Sequence, residues 1–235
     1  MGCKHSAPVE QKPLQKMMDR PATMSPPVVQ STYDISPEVL MDLDVNSIIK
    51  CVTKVPMPKS SSPVSCLSET SCPIILAPFH YKGEFKNEGK FMLPIVALAR
   101  IEFGRVLCLG SFEILSLCDE SKSDYVLFLE KAMRWIGGPN PEQRNVLVSN
   151  HIGHMLDKIL YNLRELGFGF EIMKEDMKID FMKYSFLILE SSFSKTEGLY
   201  DYIIGGGGII CGASPPGTKN RFNMNSVISK VGIGF

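Results

Sequence analysis

Residues 184–214 read YSFLILESSFSKTEGLYDYIIGGGGIICGAS. The runs FLIL (186–189) and IICG (209–212) are short, apolar and bounded by polar or small residues, which is the pattern of strands. Between them, EGLYDYII (197–204) has helical spacing and runs into a stop of four glycines. Strand, glycine-stopped helix, strand is the unit of a parallel sheet, since parallel neighbours need a long crossover and a helix usually supplies it. Apolar residues at consecutive rather than alternate positions mean that both faces of those strands are covered.

The same alternation extends toward the N-terminus. DYVLFLEKAMRWIGG (124–138) reads as a helix with a glycine stop and RNVLVSN (144–150) as a strand. HMLDKILYNLRELG (154–167) is again a glycine-stopped helix, and FGFEIMKE (168–175) a strand. Before them, IILAPFHYKG (74–83), FMLPIVALARIEFG (91–104) and RVLCLGSFEI (105–114) are strands with short glycine-containing connections. The fold class expected is α/β and flavodoxin-like: a mostly parallel sheet with helices on both faces and an antiparallel extension at one edge. SPEVLMDLDVNSIIKCV (36–52) is expected to be a helix capped by Ser36 with Pro37 at its first position, its apolar face made by Leu40, Leu43, Ile48 and Ile49. PMPKSSSPVSCLSETSCP (56–73) is expected to be a long polar loop.

Residues 1–35 differ in kind, and the folded domain is expected over 36–235. Pro8, Pro13, Pro21, Pro26 and Pro27 lie among polar residues, a composition that does not bury enough surface to offset its ordering entropy. The segment opens MGCKHS, which places Gly2 and Ser6 at the positions of the N-myristoylation pattern and Cys3 where a palmitoyl group attaches. One myristoyl chain binds membrane only marginally, so the second acyl site matters. Gly2 and Cys3 are therefore the expected lipidation sites, on a tether that holds the domain at the cytoplasmic leaflet of a plasma or ciliary membrane.

Composition narrows the partners. Lys plus Arg and Asp plus Glu both total 25, so no net field steers the chain toward nucleic acid. The seven cysteines form no CxxC pair, which fits free thiols in a reducing compartment. No apolar run reaches the roughly 20 residues of a spanning helix, and no signal-peptide core is present, so neither secretion nor membrane spanning is expected.

In parallel α/β sheets ligands sit beyond the carboxyl ends of the strands. The residues delivered there are Ser111 and Glu113 after VLCLG, then Ser149, Asn150, His151 and His154 after NVLV. Glu190, Ser191 and Ser192 follow FLIL, and Ala213 and Ser214 follow IICG. His151 and His154 are either two metal ligands awaiting a third or the first turn of a helix; no glutamate base lies between them and no HExxH occurs. The GGGG run at 205–208 leads into a strand rather than a helix, so it reads as a helix stop and reversal and not as a phosphate loop. No cofactor motif is found.

GRVLCLGSFEIL (104–115), AMRWIGG (132–138), LDKILYNLRELGFGFEI (156–172), YIIGGGGIICGAS (202–214) and SVISKVGIGF (226–235) resemble the N-terminal domain of the TRP channel-associated factors. The same domain precedes the metallopeptidase part of their enhancin-type relatives. The resemblance implies a domain related to class I glutamine amidotransferases, in a family whose vertebrate members bind a cation channel and influence its delivery to the plasma membrane. In the amidotransferase relatives a nucleophilic cysteine sits on a strand-to-helix elbow, and that slot falls here on Ala213. Cys211 lies two residues earlier, and Ser214 precedes Pro215 and Pro216, which oppose a helix start. The resulting expectation is a non-enzymatic, membrane-tethered protein that binds a membrane or cytoskeletal protein. Alternatives are a structural protein of a cytoskeletal or ciliary assembly, and a hydrolase or amidotransferase-like enzyme using Cys211 or a crevice serine.

Overall fold

A computed structural model describes residues 36–56, 58, 60–82, 88–116, 123–138 and 144–235. Gly2, Cys3 and the rest of the expected tether lie outside the described residues.

The first helix, α1 (Pro37–Ile49), starts where its residues require: the Ser36 hydroxyl accepts from the Val39 N–H at 3.4 Å and Pro37 fills the first turn. Its buried side keeps Ile48, with Leu40 and Ile49 half-buried, but departs from the expected face at Leu43. Met41, Asp44 and Ile48 face the interior, Asp44 held by Arg100, while Leu43 is 55% exposed. The expected loop 56–73 also contains a strand, β1 (Ser65–Cys66), whose partner is the last strand, β9 (Ile233–Gly234).

The main sheet holds β2 (Ser71–Lys82), β3 (Glu88–Ile101), β4 (Gly104–Leu109), β5 (Asn145–Val148), β6 (Gly169–Ile172), β7 (Phe186–Glu190) and β8 (Gly208–Gly212). Their spatial order is β2-β3-β4-β8-β7-β5-β6. β2, β3 and β4 pair antiparallel, and every pair from β4 to β6 is parallel. The chain is thus a flavodoxin-like α/β fold with an antiparallel edge, as the alternation in the sequence implies.

Alternate residues of each strand feed two cores. Leu107, Leu109, Val146, Val148, Phe186, Ile188 and Ile210 point to the face covered by α1, α3 (Ser123–Ile136) and α4 (Leu156–Glu165). Val106, Cys108, Leu147, Leu187, Leu189, Ile209 and Cys211 point to the other, covered by α5 (Leu199–Ile204) and α6 (Asn225–Ile228). A short helix, α2 (Glu113–Ser116), follows β4 where the strand reading of RVLCLGSFEI stops at Leu109.

The glycine run shows why no other residue serves there. Gly206 takes φ of 103°, which side chains avoid, as the chain reverses from α5 into β8. A Cβ on Gly208 would stand 2.2 Å from the Ile136 carbonyl oxygen, so helix and strand pack backbone against backbone at this point.

Candidate functional site

The connections set the crevice. β5 leads outward through α4 to β6, at the sheet edge, whereas β7 leads through α5 toward β8, on the opposite side. Adjacent strands whose exits diverge leave a gap at their carboxyl ends. That gap is a cleft of ≈ 540 Å³. Asn150 and His151 enter it from the end of β5, Met173, Lys174 and Glu175 from β6, Glu190, Ser192, Phe193 and Lys195 from β7, and Ser214 and Lys219 from β8.

Five of the expected crevice residues therefore meet: Asn150, His151, Glu190, Ser192 and Ser214. Ser149 is wholly buried beneath them, its hydroxyl accepting the His151 N–H at 3.2 Å to start the turn. His154 is exposed and does not line the cleft; the segment 150–155 is a tight turn in which Gly153 has φ of 75°. Ser111 and Glu113 sit at the β4 to α2 turn, away from the cleft lining, where the Ser111 hydroxyl accepts the Glu113 N–H at 3.2 Å. Among the described residues, no three His, Cys, Asp or Glu side chains gather as a metal-binding group.

The β8 end is a hydroxyl network. The Ser214 N–H donates to Ser191 Oγ at 2.9 Å, and the Ser191 hydroxyl donates to the Arg221 carbonyl at 2.5 Å. The Ser192 N–H donates to Ser214 Oγ at 3.1 Å, and the Ser214 hydroxyl donates to Ser192 Oγ at 2.9 Å. Arg221 closes the loop from outside, its Nε donating to the Ser214 carbonyl at 2.7 Å and a terminal nitrogen to Ser62 Oγ at 2.6 Å. This network spends the hydroxyl protons of Ser191 and Ser214 on structure.

Ala213 follows β8 in non-helical chain, and the next helix begins only at Asn225. The strand-to-helix elbow is therefore missing, as Pro215 and Pro216 imply. Ala213 is 8% exposed and has no reactive side-chain atom. Cys211 is fully buried in the second core; burial pushes its thiol well above the ordinary range, and its contact with Cys108 and the nearby Glu190 act in the same direction. Glu190, 5% exposed, has an Oε2 with no hydrogen-bond partner among the described residues.

Sequence reasoning missed Lys174, Lys195, Lys219 and Arg221. All four lie in irregular segments whose position over the strand ends depends on chain paths that no local pattern specifies.

No protein-family model and no curated protein matches the sequence significantly. Three solved structures match in fold. The structure of IMPa from Pseudomonas aeruginosa in complex with an O-glycopeptide superposes with a TM-score of 0.60 at 11% identity. The IMPa metallopeptidase from the same organism gives 0.60 at 12%, and IMPa metallopeptidase in complex with T-antigen gives 0.58 at 13%. Each likeness covers 84% of this chain but 22% of the matched one, so the chain spans about a fifth of the length of these structures. The neighbours are metallopeptidases, which agrees with the metallopeptidase side of the family resemblance, and at such identities the likeness is one of fold.

Proposed function

We propose that this chain is a catalytically silent interaction domain of the TRP channel-associated factor type, built on an amidotransferase-like frame. Acyl chains on Gly2 and Cys3 hold it at the cytoplasmic face of the plasma or ciliary membrane, where it binds a membrane protein such as a channel and influences its delivery.

The observation that carries this reading is the state of the strand-end slot: alanine at 213, a Cys211 buried in the core, and serines 191 and 214 bonded into a network. Nucleophilic catalysis needs an exposed, activated atom at that place. The MGCKHS opening supplies the tether. The metallopeptidase neighbours lend no protease role here, because the chain has no HExxH pair to hold zinc with a glutamate base.

The test is fractionation of the full chain expressed in eukaryotic cells. The wild type is expected in the membrane fraction and Gly2→Ala in the soluble one. Full membrane association of Gly2→Ala would overturn the acyl tether, and co-sedimentation of that variant with polymerised tubulin would put a cytoskeletal scaffold in its place.

A further inference from the structure

The cleft described above has a charge arrangement that the hydroxyl network does not account for. Glu190 closes strand β7, is 5% exposed, and its Oε2 finds no partner among the described residues. A buried carboxylate oxygen without a partner is costly, so this position calls for a donor. Two neighbouring hydroxyls are committed elsewhere, that of Ser191 to the Arg221 carbonyl and that of Ser214 to Ser192 Oγ. Lys195, which also lines the cleft, donates its Nζ to the Glu175 carbonyl at 2.5 Å. At the mouth, Lys174 and Lys219 stand exposed. The cleft thus carries the Glu190 carboxyl on its inner wall and, at its rim, Lys174 and Lys219 together with one carboxylate, Glu175, in a volume of ≈ 540 Å³ that suits a small molecule.

We propose that this cleft binds a small zwitterion, with a primary ammonium donating to Glu190 and an acidic group held by the lysines at the mouth. A lone amine would leave the rim unpaired. A lone phosphate would meet the lysines and gain nothing from Glu190. A quaternary ammonium has no N–H to give to Oε2. The simplest probe that carries both groups is O-phosphoethanolamine, a chemistry shared by the free metabolite and the phosphatidylethanolamine headgroup. The proposal does not depend on the acyl tether, since it concerns the folded domain alone.

The experiment is calorimetric titration of the full, non-acylated chain from a bacterial host with O-phosphoethanolamine, ethanolamine, phosphocholine and inorganic phosphate. O-phosphoethanolamine is expected to bind, and each of the other three to bind about tenfold or more weakly. Glu190→Gln is expected to lose about tenfold or more in affinity. Lys219→Ala, at an exposed position, is expected to lose affinity with an unchanged melting temperature, and it decides the matter should Glu190→Gln fail to fold. Equal binding of inorganic phosphate, no detectable binding of O-phosphoethanolamine at millimolar concentration, or wild-type affinity in both variants would overturn the proposal. Binding to phosphatidylethanolamine vesicles, competed by the free probe and absent with phosphatidylcholine, would assign the lipid as the source. Its absence, with the free probe still bound, would assign the soluble compound.

Discussion

Cys211 faces Cys108 across the β4/β8 pair, and neither side chain is exposed. The thiolate is the reactive form, so a thiol whose ionisation is pushed up by burial and by neighbouring Cys108 and Glu190 is inert near neutral pH. A thiol-modifying reagent on the native protein should therefore label exposed Cys51 readily, and Cys108 and Cys211 only once the chain is unfolded. Peptide mass mapping reads the result, and selective labelling of Cys211 in the folded protein would favour an enzyme. Tyr184 and Tyr202 contribute to the alkaline pH dependence. Burial, then the hydrogen bond to Glu171, raises the Tyr184 hydroxyl to about 12 from an ordinary 10. Burial raises Tyr202 as well. A folded state that holds a proton more tightly than the unfolded chain loses stability as pH rises between the two ionisations. The contribution of Tyr184 is thus complete below about pH 10 and is lost by about pH 12, and Tyr184→Phe should flatten the alkaline fall in melting temperature over that window. Gly208 makes a steric prediction: Gly208→Ala drives a methyl onto the Ile136 carbonyl and should cost about 1–3 kcal/mol by denaturant unfolding.

At the scale of elements, α1 is joined to the sheet by a bidentate pair. Arg100 of β3 donates to Asp44 through Nε at 2.5 Å and a terminal nitrogen at 2.7 Å, with side-chain exposures of 20% and 8%. Deleting one partner leaves the other desolvated, so Asp44→Ala should cost roughly 2–3 kcal/mol in chemical denaturation, and Asp44→Ala with Arg100→Ala together less than the sum of the two single changes. This pair marks where the sequence stops being legible. Hydrophobic period and glycine stops locate the strands and helices from β2 to β8, because those signals are local. The burial of α1 is not wholly local: Asp44 is 6% exposed because an arginine 56 residues away meets it, while Leu43, one residue earlier, is 55% exposed. The β1/β9 pairing escaped for the same reason, since two residues at 65–66 carry no strand period and their partners lie at 233–234. Within the site, Asn150, His151, Glu190, Ser192 and Ser214, which the strand-end rule delivers to one crevice, line one cleft, while Ser111, Glu113 and His154 follow strands too but lie outside its lining. The lysines of the rim come from loops and were not readable.

At the scale of the whole molecule, the parallel part of the sheet ends in a cleft, and alanine rather than a nucleophile stands at position 213 beyond β8. None of the described helices is long and apolar enough to cross a membrane, so attachment under our proposal falls to the acyl chains. A single myristoyl group gives only marginal binding, which makes the pairing of Gly2 with Cys3 the central claim. It is tested most directly by the intact mass of the protein purified from eukaryotic cells, before and after hydroxylamine. A myristoyl mass that persists and a palmitoyl mass that hydroxylamine removes are expected; an N-terminus that is unmodified or only acetylated would contradict the acyl tether.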